Sequence, residues 1–220
     1  MTWAGPDSHY SESVRAELVA QAQSEPQACD TSTPTEDAEV WDVLDVDGSP
    51  TGRVVARNAD GGDPEAYLRA GEFHRIVMVV VFDPVGDDPA VLIQQRSAAK
   101  AICPGLWDLT AGGSALAGET SQQAASRELA EEVGLLVDFS RQSPHISLTR
   151  PTAFLDIYLV DLPGIDPARL VLQTEEVQAV RWSTRQEILT LMDQGQFCPF
   201  HPSLVDLIFD VRRCPGELSR

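Results

Sequence analysis

The sequence predicts an α/β fold with a mixed central sheet. Two observations predict it: residues 75–82 (RIVMVVVF) form a continuous apolar run, and residues 125–133 carry apolar side chains at helical spacing. A continuous apolar run is typical of a buried strand, and the helical spacing is typical of a helix that docks on a sheet. Further strand-like and helix-like segments follow in the second half of the chain. Mixed strands combined with two or three helices indicate an α/β sandwich.

The N-terminal segment differs in composition from the rest of the chain. Residues 1–37 are rich in Ser, Gln, Glu, Ala and Pro, and we expect a flexible or partly helical extension there. Tyr10 to Ala22 could form a helix, so a mobile tail and a helix that packs on the domain or on a partner both stay open. The main domain is expected to span residues 38–214, with a C-terminal tail at 215–220.

The main domain begins with a predicted β-hairpin. Residues 39–57 alternate apolar and polar side chains around Asp47 and Gly48, and an Asp-Gly pair between such segments is a hairpin signal. A loop with a short helical piece is expected over residues 58–71.

The centre of the sheet is predicted from two apolar segments. Residues 75–82 predict a buried strand, and residues 90–95 (AVLIQQ) predict its antiparallel neighbour, with a turn at 86–89 between them. Gly112 and Gly113 are expected to form a turn that leads into the next helix.

A helix is predicted immediately after that turn. Thr120 or Ser121 can cap its N-terminus, and Gly134 can end it in a left-handed turn. Positions spaced i, i+4 and i+8 give an apolar stripe that can dock on the sheet: Ala125, Leu129 and Val133.

The polar face of this predicted helix carries three glutamates. Glu128, Glu131 and Glu132 are spaced i, i+3 and i+4, so they share one side of the helix. Clustered carboxylates repel one another, and a hard divalent cation such as Mg²⁺ or Mn²⁺ would neutralise them. Arg127 lies four residues before Glu131 and can pair with it or orient Glu128. A solvated, charged helix face is the alternative interpretation of these residues.

The remaining elements complete the sandwich. Strands are predicted at Ser147, at 154–160 and at 177–182, and helices are predicted at 184–192 and 203–212.

The composition limits the class of function. The chain has 220 residues and a formal net charge of −18, which argues against binding to nucleic-acid polymers or to anionic membranes. No apolar run approaches the ~20 residues that span a bilayer, and the N-terminus does not resemble a secretory signal. The four cysteines form no metal-type spacing, so free thiols in a reducing cytoplasm are expected. A homodimer is left open.

The segment from Gly113 to Leu135 resembles the signature of the Nudix hydrolase superfamily. It reads Gly-x5-Glu-x7-Arg-Glu-aliphatic-x-Glu-Glu-x-Gly-aliphatic without a missing position. The resemblance implies a Nudix-type α/β/α sandwich, a small-molecule substrate with a diphosphate linkage, and catalysis with Mg²⁺ or Mn²⁺. It also implies the metal ligands, which are the Gly112 carbonyl, Glu128, Glu131 and Glu132. Glu119 would support the turn and reach a metal through water. Glu128 would act as general base or metal bridge, and Arg127 would orient Glu128.

The segment before the signature is similar to isopentenyl diphosphate isomerase and to the Nudix hydrolases closely related to it. Residues 94–113 (QQRSAAKAICPGLWDLTAGG) carry this resemblance, which implies that Arg96 and Lys100 contact substrate phosphates. Two surface cations at the end of a strand are the alternative. Gly112 stands where the isomerase has its catalytic cysteine, and Ser114 stands where it has a metal-binding histidine. Hydrolysis is therefore expected rather than isomerisation.

Four further residues are candidates to complete the metal site or to act as a base. His74 and Asp156 match isomerase ligands by position, and Glu175 and Glu176 lie in a loop where many Nudix hydrolases have another carboxylate. A hydrogen-bonded strand-end histidine and solvated acids are the alternatives.

Three functions follow from these observations. The first is a pyrophosphohydrolase that cleaves a nucleotide-type or related substrate by attack of water at phosphorus. The second is an isomerase-like enzyme on prenyl diphosphates, and the third is a non-catalytic, ligand-sensing domain. The complete set of glutamates argues for the first, and no feature of the sequence selects the substrate.

Overall fold

The computed structural model describes residues 39–56, 68–85 and 89–213. The predictions for the N-terminal extension, for the helical piece after the hairpin, for most of the turn at 86–89 and for the C-terminal tail lie outside the described residues.

The described part of the chain contains nine strands, three α-helices and one short 3₁₀ helix. The strands are β1 (Val40–Leu44), β2 (Pro50–Ala56), β3 (His74–Asp83), β4 (Ala90–Arg96), β5 (Trp107–Asp108), β6 (Ala111–Ser114), β7 (Ile146–Thr149), β8 (Ala153–Asp161) and β9 (Val177–Thr184). The helices are α1 (Ser121–Val133), α2 (Arg185–Asp193) and α3 (Pro202–Arg213), and the 3₁₀ helix is Pro167–Arg169. None of the helices in the described ranges is long and apolar enough to cross a membrane.

The predicted hairpin is present as the antiparallel pair of β1 and β2. Its turn contains Gly48 at φ 83, a left-handed conformation that glycine adopts at low cost. The hairpin has its own small core, in which Trp41, Val43 and Val55 pack with Leu68.

The central sheet has seven strands and mixed directions. Strands β3 and β8 run parallel, while the other pairs are antiparallel. Strands β3 and β4 pair at only two positions, Phe82 with Val91 and Asp83 with Ala90. Beyond these positions β6 pairs with β3, and β5 pairs with β4. The two central strands, β3 and β4, therefore separate beyond these two positions.

Helices cover both faces of this sheet. The buried residues of α1 pack on one face together with Val77, Val79 and Leu92. The buried residues of α2 and α3 pack on the other face together with Val80 and Ile93. The predicted α/β/α sandwich with a mixed central sheet is confirmed.

The prediction of a turn at Gly112 and Gly113 is wrong. Both glycines lie in β6, in register with Met78 and Val77 of β3, and neither has a positive φ. Their lack of a side chain serves close packing instead. A Cβ atom on Gly112 would lie 2.8 Å from the Val77 carbonyl oxygen, closer than real contacts allow.

Candidate active site

Helix α1 begins and ends at the residues that the sequence predicts. Thr120 is the N-cap, and its side chain accepts a hydrogen bond from the Gln123 backbone N–H. The Gln123 side chain in turn accepts a hydrogen bond from the Thr120 backbone N–H, which completes a capping box. Gly134 ends the helix at φ 70. The apolar stripe of Ala125, Leu129 and Val133 is fully buried against the sheet. These features fix which face of α1 points toward β6.

Glu132 lies at the interface between α1 and the sheet and is only 4% exposed. Its Oε2 atom accepts two hydrogen bonds, from the Gly112 backbone N–H at 3.1 Å and from the Gln94 side chain at 2.9 Å. Both donors are neutral, so no cation contacts this buried carboxylate among the described residues.

Glu128 lies one turn earlier and packs directly against Gly113. A Cβ atom on Gly113 would lie 2.3–2.8 Å from the carboxylate atoms of Glu128. A side chain at this position of β6 would require the Glu128 carboxylate to move. The strand thus lets two helix carboxylates, those of Glu128 and Glu132, come close to the backbone of the sheet.

Burial makes both carboxylates unusually basic. It raises the pKa of Glu128 to about 7, although the neighbouring Arg127 guanidinium pulls that pKa down. Burial, together with repulsion from Glu128, raises the pKa of Glu132 to about 8. The hydrogen bonds from Gly112 and Gln94 only partly offset these effects.

Arg127 connects the acidic residues of the signature. Its Nε and Nη2 atoms each donate to one oxygen of Glu119 at 2.8 Å, and Nη2 also donates to the Ser114 carbonyl at 3.0 Å. Its Nη1 atom donates to Glu128 at 2.8 Å and to Glu131 at 3.1 Å. The predicted contacts of Arg127 with Glu128 and Glu131 are present. This network raises the pKa of Arg127 and lowers that of Glu119.

The three glutamates are not gathered around one point. The Glu131 side chain is 51% exposed and contacts Arg127, whereas the Glu128 side chain is 12% exposed and Glu132 is buried. Among the residues that the structure describes, no group of three or more His, Cys, Asp or Glu side chains is placed to hold a metal ion. The metal-ligand assignments of the Gly112 carbonyl, Glu119, Glu128, Glu131 and Glu132 therefore all remain predictions.

The two cations predicted to bind phosphate are both paired with acids. Arg96 contacts Asp108 at 3.3 Å and donates to the Ile102 carbonyl at 3.0 Å, and Lys100 forms an ion pair with Glu176. Burial raises the pKa of Asp108, and the Arg96 charge acts against that rise. A substrate phosphate would have to share these cations with their acidic partners.

Glu176 is the additional candidate acid whose charge acts on Glu132. Its charge contributes to the raised pKa of Glu132, and its backbone carbonyl accepts a hydrogen bond from Ser97 at 2.8 Å. In the same loop, the Gln173 backbone N–H donates to the Glu132 carbonyl at 3.1 Å. Lys100 and Glu176 therefore lie beside the C-terminal half of α1, whereas the neighbouring Glu175 is exposed.

The other two candidates lie elsewhere in the fold. Asp156 accepts hydrogen bonds at 2.7 Å from Arg75, Ser121 and Ser147, so it anchors the first residue of α1. Ser121 and Glu128 are about 10 Å apart along the helix axis. His74 is buried and stacks on Trp41 of the hairpin, with ring centroids 4.7 Å apart. The structure thus places Asp156 at the first residue of α1 and His74 beside the hairpin.

Sequence reasoning missed Gln94, the side-chain donor to Glu132. The signal that could have found it is the alternation of strand β4. Leu92 packs on the face of the sheet that α1 covers, and Ile93 packs on the opposite face. Side chains two residues apart share a face, so Gln94 follows Leu92 toward α1.

Comparisons with known proteins agree with this architecture. The family model described as NUDIX domain matches residues 72–204, more than half of the chain. A Nudix hydrolase of Listeria monocytogenes is 36% identical over 162 residues, which cover 74% of this chain and 89% of the relative. An isopentenyl-diphosphate Delta-isomerase of Nocardia farcinica is 42% identical over only 71 residues, 32% of this chain and 39% of the isomerase.

A solved structure shows the same fold. The crystal structure of a Deinococcus radiodurans protein superposes with a TM-score of 0.58 at 23% identity, over 80% of this chain and 99% of that protein. This structure supports the fold alone, whereas the match to the family model and the identity to the Listeria hydrolase support membership of a family. The chain therefore belongs to the Nudix family, and its relatives place it among the Nudix hydrolases.

Proposed function

We propose that this hydrolase cleaves a diphosphate linkage in a nucleotide-type or related small molecule, by attack of water at phosphorus and with a divalent cation. The observation that carries the proposal is the pair of largely buried carboxylates, Glu128 and Glu132, which pack against the glycines of β6. Two buried acids that repel one another destabilise a fold. Two such carboxylates placed side by side are typical of a functional site that uses their negative charge.

The donor set suits Mg²⁺ or Mn²⁺. Both ions prefer hard oxygen ligands, and the two carboxylates, a nearby backbone carbonyl at Gly112 and the acid Glu176 provide them. Glu131 would join them after leaving Arg127, which contacts it at 3.1 Å on a half-exposed surface. When bound, the cation neutralises negative charge on the phosphates and makes water a better nucleophile.

The chain's own side chains supply positioning and proton transfer. Arg127 holds the carboxylate of Glu128 at 2.8 Å and keeps its orientation fixed. A pKa raised to about 7 suits Glu128 to accept a proton from water near neutral pH. Arg96 and Lys100 are proposed to bind the substrate phosphates, because they lie at the end of β4, where Lys100 approaches the loop of Glu176.

Isomerisation is disfavoured by the packing of β6. Protonation of a substrate carbon needs a positioned acid, and the isomerase-type cysteine is replaced by Gly112. A Cβ atom at this position would lie 2.8 Å from a backbone oxygen of β3, so this strand has no room for a thiol without a shift. The site residues that remain, two buried carboxylates and an arginine network, support hydrolysis.

The expected setting of this activity is a small-molecule reaction in the cytoplasm. The net charge of −18 supports a substrate that is not a nucleic-acid polymer. The oligomeric state, including a homodimer, is left open.

A panel of diphosphate-linked compounds tests the proposal. Nucleoside diphosphate sugars, dinucleoside polyphosphates, nucleoside triphosphates and prenyl diphosphates would be assayed for phosphate or pyrophosphate release, with Mg²⁺, with Mn²⁺ and with a chelator. We expect cation-dependent release from at least one class and none from Glu132→Gln. Proton exchange into isopentenyl diphosphate without phosphate release would contradict the proposal and support the isomerase.

A further inference from the structure

Gln94 lies at the point where the two central strands separate. Its backbone pairs with Val180 of β9 on one side and with Asp108 of β5 on the other, so β4 is fixed along both edges here. The side chain is 2% exposed and points toward α1. A polar side chain this deeply buried needs partners, because burial without hydrogen bonds is costly.

Within the described part of the chain, the nitrogen of the Gln94 amide has a hydrogen-bond partner and its oxygen has none. The Nε2 atom donates to Glu132 Oε2 at 2.9 Å, on the same oxygen that accepts the Gly112 backbone N–H. The Oε1 atom is buried and has no hydrogen-bond partner among the described residues. A buried amide oxygen without a partner indicates a further group at this position, such as an ordered water.

The chemistry of an amide suits a position beside a metal ligand. Gln94 donates a hydrogen bond without bringing a positive charge, so it fixes the Glu132 carboxylate and does not compete with a cation for it. A lysine or arginine at this position would form an ion pair with Glu132. The two donors reach the same oxygen, which leaves the second oxygen of Glu132 available.

We propose that Gln94 is a positioning residue for metal binding: its amide fixes Glu132 in the orientation that binds the cation, and its Oε1 accepts a hydrogen bond from a water molecule of the site. This proposal rests on the proposed function, because it assigns Gln94 to the same site. Partners that orient a metal ligand typically contribute ten-fold to a hundred-fold in metal affinity or activity.

The test compares two neighbouring glutamines. Gln94→Met keeps the length of the side chain but removes the donor and the acceptor. Gln95→Met is the matched control, because Gln95 donates to the Gly105 carbonyl at 3.0 Å, away from Glu132. Gln94→His retains an N–H donor and serves as the rescue variant. Binding of Mn²⁺ alone is measured by electron paramagnetic resonance, and kcat and KM are measured on the best substrate of the panel.

We expect Gln94→Met to weaken Mn²⁺ binding ten-fold to a hundred-fold, with the KM for substrate at saturating Mn²⁺ within two-fold of wild type. Gln95→Met should bind Mn²⁺ like wild type, and Gln94→His should bind more tightly than Gln94→Met. Wild-type Mn²⁺ affinity in Gln94→Met, or equal weakness of both Gln94 variants, would overturn the proposal for this residue alone. A wild-type protein that binds no Mn²⁺ would overturn the proposed function, and this proposal with it.

Discussion

Replacing Glu132 by glutamine should stabilise the metal-free protein at neutral and higher pH. In the unfolded chain this carboxyl ionises near its ordinary pKa of 4.5, whereas in the fold its pKa is about 8. Between these values the folded state keeps a proton that the unfolded chain has lost. Raising the pH therefore destabilises the fold through this residue, from about pH 5 until the folded carboxyl has ionised near pH 8.

The size of the effect follows from this linkage. A retained proton costs about 1.4 kcal/mol of stability for each pH unit in that window. Glutamine fills the same space without a proton to lose. The free energy of unfolding of Glu132→Gln, minus that of wild type, should thus grow by about 2.5 kcal/mol between pH 5.5 and pH 7.5. Taking the difference cancels the titration of acids and histidines that do not interact with Glu132.

The assay is urea denaturation in a chelating buffer at several pH values. Glu131→Gln controls for the loss of one negative charge, because it removes a half-exposed carboxylate from the same helix. Adding Mg²⁺ at pH 7.5 should stabilise wild type and leave Glu132→Gln nearly unchanged, since a ligand stabilises only the protein that binds it. A difference between Glu132→Gln and wild type that stays constant across the pH range would refute the reasoning.

Three further predictions concern the neighbours of this pair. The double variant Arg96→Ala, Asp108→Asn should have a lower kcat/KM than Asp108→Asn alone. The difference should correspond to about 1.5–3 kcal/mol of transition-state stabilisation, the range for a charge-assisted hydrogen bond, and equal kcat/KM in both variants would return Arg96 to a structural role. Gly113→Ala should lower kcat on the order of a hundred-fold, because the added methyl group displaces Glu128, and wild-type turnover would contradict this packing. Asp156→Asn should destabilise the fold by roughly 1.5–3 kcal/mol in thermal or urea unfolding, the range for hydrogen bonds to a charged group, and leave Mn²⁺ affinity within three-fold; lost Mn²⁺ binding in a stable protein would make Asp156 a ligand.

The elements of the fold could be predicted from the sequence, because their patterns are local. The apolar run of β3, the caps of α1 and the spacing of its apolar stripe all appear within a few residues of one another. The strand β6 could not be predicted in this way. Gly112 and Gly113 read as a turn because glycine permits turns, but the glycines are required by contacts with β3 and with Glu128, which are distant in sequence.

The same contrast between local patterns and contacts distant in sequence applies to the candidate site. The spacing of Glu128 and Glu132 predicts that they share a helix face, and both pack against β6, Glu132 fully buried and Glu128 largely so. The sequence does not show that Glu131 turns outward onto Arg127, because rotamers depend on which partners surround the helix. It also does not show that Asp156 anchors the start of α1, since that role depends on the register of two parallel strands.

Hydrolysis in ¹⁸O-labelled water is the most direct test of catalysis at the buried carboxylates. The best substrate of the panel would be turned over with Mg²⁺ by wild type and by Glu132→Gln, and the products would be analysed by mass spectrometry. We predict one labelled oxygen in a phosphate group of one product from wild type, and no labelled product from the variant or from wild type with chelator. Label on carbon instead of phosphorus, or labelled phosphate from Glu132→Gln at the wild-type rate, would contradict attack of water at phosphorus in this site.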